Sequence, residues 1–161
     1  MGVTTFTGPV KSGDVIDTYG STPGTIANVG ILTAAQQQAI TQIGSETALA
    51  TNIVIPANST IVSIELFVTT AWNSGTTTYT VSVGTSATAT ELVAATNANA
   101  VGRLVLTPGT DATRTGKWVN VGTSDVQIYV KSGAHTGSTG GAGTLVVRYI
   151  QSANVNPPVN Y

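Results

Sequence analysis

From Leu49 onward the chain alternates apolar and polar residues in short runs broken by turn residues. That is the period of a β-strand with one face turned to a core. The clearest run is Thr60 to Thr70, where Val62, Ile64, Leu66 and Val68 alternate with Ser63, Glu65 and Phe67. Thr76 to Gly84 repeats the pattern, with Tyr79, Val81 and Val83 on one side and Thr78, Thr80 and Ser82 on the other. Trp72-Asn73-Ser74-Gly75 between the two runs predicts a hairpin. Leu49 to Ile55, ended by Pro56, reads as a strand, as do Val101 to Thr107, Gly116 to Val121, Val126 to Lys131 and Thr144 to Ser152. Ala87 to Asn99 is Ala-rich and is expected to hold a short helix around Glu91 to Ala95. Ala34 to Ile43 suits a helix by composition, but Ile40 and Ile43 are too few for an apolar stripe, so a strand is at least as well supported. Counted from Gln36, about eight strands follow, which predicts an all-β, antiparallel β-sandwich of jelly-roll-like architecture. An immunoglobulin-like sandwich competes, without its Cys-Trp-Cys signature.

The ends differ from this body. Residues 1–33 carry turn signals at Gly8-Pro9, Ser12-Gly13-Asp14 and Thr22-Pro23-Gly24, and no regular period. A frayed terminus and an extended N-terminal arm lying on another surface both fit. Phe6, Pro9, Val10, Lys11, Val15, Ile16 and Tyr19 are the contact candidates on such an arm. The expected organisation is an arm over 1–33, a sandwich domain over 34–153 and an extended tail over 154–161 containing Pro157-Pro158. A length of 161 residues fits one domain with a sizeable core.

Composition narrows the function classes. Charged residues make up 8% of the chain, against about 25% in ordinary domains, while hydrophobic residues make up 41%. The six basic residues (Lys11, Arg103, Arg114, Lys117, Lys131, Arg148) are dispersed, so nucleic acid is not an expected partner. Cysteine is absent, which removes disulfides, thiolate metal sites and cysteine nucleophiles. The start, Met1-Gly2-Val3-Thr4-Thr5, lacks the features of a signal peptide, and no apolar run reaches membrane-spanning length, so neither export nor a membrane partner is expected. Met1-Gly2 resembles the start of a myristoylation signal, but Phe6 stands where Ser or Thr is required.

Catalytic chemistry finds few residues to use. The one histidine, His135, lies in a Gly-rich segment that cannot hold a base in place. Asp14 and Asp17 are the only close acidic pair and are too few for a Ca²⁺ loop. The run Gly137 to Thr144 lacks a lysine and leads into a strand, so it reads as a loop between strands and not as a phosphate cradle. Asn58-Ser59-Thr60 fits a glycosylation sequon without a secretory context. Trp72, Trp118, Tyr79, Tyr129 and Tyr149 could form a sugar platform, though core or interface packing is the better-supported role. No catalytic, metal or cofactor-binding residue is expected, and the chain reads as non-enzymatic.

Sheet edges are usually guarded by lysine, proline or bulges, and these strands carry few charges. Assembly is the expected protection, with a homotrimer as the first candidate, burying outward positions such as Phe67, Leu104 and Ile150. The arm phrase Thr7-Gly8-Pro9-Val10-Lys11-Ser12-Gly13, the stretch Val68 to Thr76 and Val81-Ser82-Val83-Gly84-Thr85-Ser86, with the low charge, resemble small structural proteins of tailed bacteriophages, above all capsid decoration or cement proteins. The resemblance implies a jelly-roll or related β domain, trimeric, made in the host cytoplasm and seated on the capsid outer surface of the virion. It further implies the major capsid protein as partner and stabilisation of contacts between its subunits as function. The rival expectation is a tail-fibre, head-fibre or receptor-binding β module.

Overall fold

The computed structural model describes residues 31–42, 47–72, 80–133 and 140–152. The elements are β1 (Ile31–Thr41), β2 (Leu49–Ile55), β3 (Thr60–Thr70), β4 (Thr80–Gly84), β5 (Val93–Asn97), β6 (Gly102–Leu106), α1 (Ala112–Val119), β7 (Val126–Ser132) and β8 (Ala142–Ser152). The strands form two four-stranded sheets, β1-β8-β3-β6 and β2-β7-β4-β5. Strands 1 and 8, 2 and 7, 3 and 6, and 4 and 5 are all neighbours, which is the order a long antiparallel ribbon gives when its two arms wrap together into a sandwich. This is the jelly-roll arrangement, and the expected all-β sandwich with eight strands stands.

The core forms where the inward faces of the two sheets meet. Ile64, Leu66, Leu145 and Val147 come from the first sheet, and Ile53, Ile55, Val81, Val83 and Ile128 from the second, all buried. Full burial of each such side chain contributes about 1.5–3 kcal/mol before ordering entropy is subtracted.

Several local expectations are corrected. β3 and β4 do not form a hairpin, because they lie in different sheets and the ribbon crosses between sheets at that point. The helix expected near Glu91 to Ala95 is replaced by β5, where Val93 pairs with Val83 and is fully buried, so sheet pairing overrides the helix propensity of alanine. The strand expected at Gly116 to Val121 is replaced by α1. Its start signal is Asp111, whose carboxylate accepts the Arg114 N–H at 2.9 Å, and Lys117 in the last turn suits the helix dipole. Trp118 then donates its indole N–H to the Leu92 carbonyl at 2.9 Å and packs against the core.

In β3 the inward set is Ile61, Ile64, Leu66 and Val68, not Val62. Ile61 pairs with Tyr149 and Ser63 with Arg148, so Val62 is an extra residue in the strand, and this bulge turns it out to solvent.

β1 settles the ambiguity of the glutamine-rich stretch in favour of a strand. Gln36 and Gln38 are half-buried, and Ile40 and Gln42 are buried further along the same alternation. The Gln36 amide donates to the Val54 carbonyl at 2.5 Å and to the Tyr149 hydroxyl at 2.8 Å, and its oxygen accepts the Val54 N–H at 3.1 Å. The Gln38 oxygen accepts the Asn52 N–H at 2.5 Å. Side-chain amides of the first sheet therefore meet backbone groups of β2, an edge strand of the second.

One end of the sandwich is sealed by Trp72, buried, with its indole N–H on the Ser132 hydroxyl at 3.2 Å. Gly141 lies flat against that ring. Its N–H reaches the Gln42 side-chain oxygen at 3.1 Å, and its carbonyl accepts the Gln42 N–H at 2.7 Å. This part of the glycine run exists for close packing. The arm candidates, residues 153–161, Tyr79, His135 and the turn residues Asn73 to Gly75 lie outside the described residues.

Two stability outcomes follow. A Cβ on Gly141 would sit 2.7 Å from Trp72 Cδ2 and 2.9 Å from the Gln42 oxygen. Gly141→Ala should therefore destabilise by about 1–3 kcal/mol and shift tryptophan fluorescence, read together in denaturant unfolding. Ser59 is fully buried, and among the described residues its hydroxyl has no hydrogen-bond partner. Ser59→Ala should stabilise by about 1 kcal/mol, read as a higher denaturant midpoint at an unchanged slope, because it removes an unmet polar group.

Candidate interaction surface

The sequence-predicted contact residues Phe6, Pro9, Val10, Lys11, Val15, Ile16 and Tyr19 lie outside the described residues. Within the body, the outer face of the β1-β8-β3-β6 sheet is the surface with distinctive chemistry. Register fixes its membership. Glu65 pairs with Val105 on one side and Val146 on the other, Phe67 with Arg103 and Thr144, and Ser63 with Arg148. Cross-strand partners share a face, so these side chains stand together on the side away from the core. Phe67 is 37% exposed, Val62 49% and Val105 50%, so the patch is apolar and open to solvent.

A three-residue charge cluster sits within this patch. Glu65 is 3% exposed. Arg103 grips it with two bonds, Nε to Oε2 at 3.1 Å and Nη2 to Oε1 at 2.7 Å. Arg148 Nη1 lies 3.1 Å from the same Oε1 and also donates to the Ser63 hydroxyl at 3.3 Å. Paired, fork-on-carboxylate geometry is the form in which a covered carboxylate is tolerated. The Arg103 hydrogen bond, opposed by burial and assisted by Arg148, holds the Glu65 carboxyl at about 2. Both guanidinium side chains remain substantially open, 57% for Arg103 and 42% for Arg148. The cluster carries a net charge of +1.

The other singled-out residues scatter. Leu104, expected to face outward, instead faces inward opposite Leu66 and packs against the core, because it has the parity of Leu66 and Leu106 in the register. Ile150, expected to face outward, does so: it is half-buried opposite Thr60 on the same face as Arg148. Trp72 and Tyr149 are buried, Trp118 is partly buried beside Leu92, and Tyr129 stands half-buried in β7, so the described aromatics form no common platform. Glu91 is held by the turn joining β4 to β5. The Ser86 and Thr88 hydroxyls donate to Oε1, and the Thr85 and Thr90 N–H groups donate to Oε2 at 3.2 and 3.0 Å. Burial alone would raise its pKa, but these donors outweigh it and hold the carboxyl at about 2. Glu91 thus ties together the turn between β4 and β5. Among the described residues no group of three or more His, Cys, Asp or Glu could hold a metal ion, and no helix is long and apolar enough to cross a membrane.

Sequence reading named Phe67 but not the cluster. The signal was a lone glutamate inside an apolar alternation, with arginines 38 and 83 positions away, and only strand register joins them.

No protein-family model and no curated protein matches the chain. One solved structure it resembles is a chain of the "Cyanophage Pam1 capsid asymmetric unit", with a TM-score of 0.54 and 18% identity over 81% of this chain and 91% of that one. At that identity the likeness is one of fold.

Acid should loosen this structure in a defined window. Both Glu65 and Glu91 have pKa values lowered from 4.5 to about 2, so their contribution to stability is full above the unfolded value. It declines as pH falls below 4.5 and is gone once pH passes below about 2. Denaturant midpoints measured between these limits should fall with pH, and the double variant Glu65→Gln, Glu91→Gln should show a shallower slope.

Proposed function

We propose that the chain is a non-enzymatic structural protein of a tailed-phage virion that binds the capsid outer surface as a homo-oligomer, a trimer first. In that position it stabilises contacts between major capsid protein subunits. The carrying observation is the jelly-roll likeness to a chain of a cyanophage capsid, which extends over 91% of that chain. The low charge of the whole sequence and the open apolar face around Phe67 and Val105 support it, since such surfaces suit burial against other subunits. The mechanism is a clamp. A standard interface buries roughly 1,200–2,000 Å², and bridging neighbouring shell subunits through several symmetry-related copies multiplies the resistance to their separation.

The test combines solution mass with co-sedimentation against emptied capsids of the phage whose virions incorporate the protein. The expected result is an oligomer that sediments with shells and raises their thermal rupture temperature. A stable monomer with no affinity for shells would sink the proposal, and selective binding on a glycan array would instead favour a fibre or receptor-binding module.

A further inference from the structure

The outer face of the β1-β8-β3-β6 sheet combines two properties that rarely coexist on a free surface. It is apolar, through Val62, Phe67 and Val105, and it holds two of the chain's six basic residues beside one covered acid. Among the described residues Arg103 spends two donors on Glu65, and Arg148 Nη1 serves Glu65 and Ser63. A guanidinium carries five N–H groups, so donors remain on both side chains, facing solvent. The spare charge and the spare donors both call for an acceptor anion.

A second copy of the same face is a poor occupant. Back to back, two such faces would set +1 against +1 in an apolar interface and supply no free carboxylate, an arrangement penalised as charges are desolvated. The rest of the described body offers no better donor of a carboxylate. Glu91 is enclosed by its turn, Asp111 caps α1 beside Arg114, and Asp125 sits in the Gly122-Thr123-Ser124 turn accepting the Ala57 N–H at 2.9 Å.

Charge complementarity therefore selects a different protein. We propose that this face seats the shell protein, and that the patch it accepts on the shell is an exposed carboxylate ringed by apolar side chains. Val62, Phe67 and Val105 cover the ring and exclude water, and Arg103 and Arg148 take the carboxylate with the donors Glu65 leaves free. Glu65 acts as a positioning residue, holding both guanidinium groups in place so that little side-chain freedom is lost on docking. This inference rests on the proposed capsid role and names the surface through which it is carried out.

The full-length chain tests it in co-sedimentation with emptied capsids, with solution mass measured in parallel. Arg148→Glu, Phe67→Ser and Val105→Ser should each weaken shell binding about tenfold, since each removes part of a central contact. Lys131→Glu, on β7 of the other sheet, should bind as the parent does. The mass of the free protein should not change in any of them, and parental binding should weaken with added salt. Phe67→Ser and Val105→Ser alter exposed side chains, so they keep the test open should Arg148→Glu fail to fold. Parental binding by all three face variants overturns the inference while leaving the capsid role standing. Dissociation of the free oligomer by those variants overturns it too, by showing that a second copy covers the face. Restoration of binding when Arg148→Glu is combined with Asp14→Lys and Asp17→Lys overturns it in favour of the chain's own acidic segment. A parent that does not sediment with shells removes the capsid role and this partner together.

Discussion

A β-sandwich leaves backbone N–H and C=O groups unmet along its outermost strands, and a chain with 8% charged residues has little charge with which to guard them. Here a glutamine amide answers for a missing strand. Gln36 donates to the carbonyl of Val54 and accepts from its N–H, as a neighbouring peptide group would, and so gives β2 a partner that belongs to the opposite sheet. Tyr149 joins the same amide from within the core, which fixes the direction of the side chain. The jelly roll is closed on this side by polar side chains in place of another rung of backbone, and the idea that every lightly charged edge needs a second subunit is narrower than composition implies.

Charge, being scarce, is placed with care. Glu65 and Glu91 are both fully committed, one to two arginines across three strands and the other to the hydroxyls and N–H groups of one turn. Glu91 holds the turn between β4 and β5, where the long ribbon doubles back, and the glycine preceding that turn, Gly84, has no room for a side chain beside it. Glu65 instead organises an outer face. The same residue type therefore closes the fold in one place and equips a surface in the other.

Much of the architecture was legible because alternation with a period of two is a direct record of burial. β2 and β3 run over the residues the pattern marks, and Val81 and Val83 face inward as the pattern requires. The failures are physical. An Ala-rich segment became β5 because pairing to β4 outweighed intrinsic preference, and Lys117-Trp118-Val119 alternated like a strand while Asp111 was starting a helix. Both errors left the strand count at eight, since one strand was lost and one gained. The bulge at Val62 was hidden because one inserted residue leaves no mark in composition. The Glu65 cluster was hidden because register between distant strands is not written in local sequence. Of the outer face, Phe67 and Ile150 could be named in advance.

Two of the three glutamines of β1, Gln36 and Gln38, also do something that apolar packing cannot. Valine and isoleucine faces slide over one another with little directional penalty, so packed sheets are weakly indexed along the strand axis. Gln36 meets Val54 and Gln38 meets Asn52, a step of two forward on one strand against two backward on the other. A slip of a single position would leave both amides facing the wrong peptide groups at once. The pair thus works as a vernier between the layers, giving a greasy interface a definite alignment and making shear between the sheets, like their separation, a cooperative event.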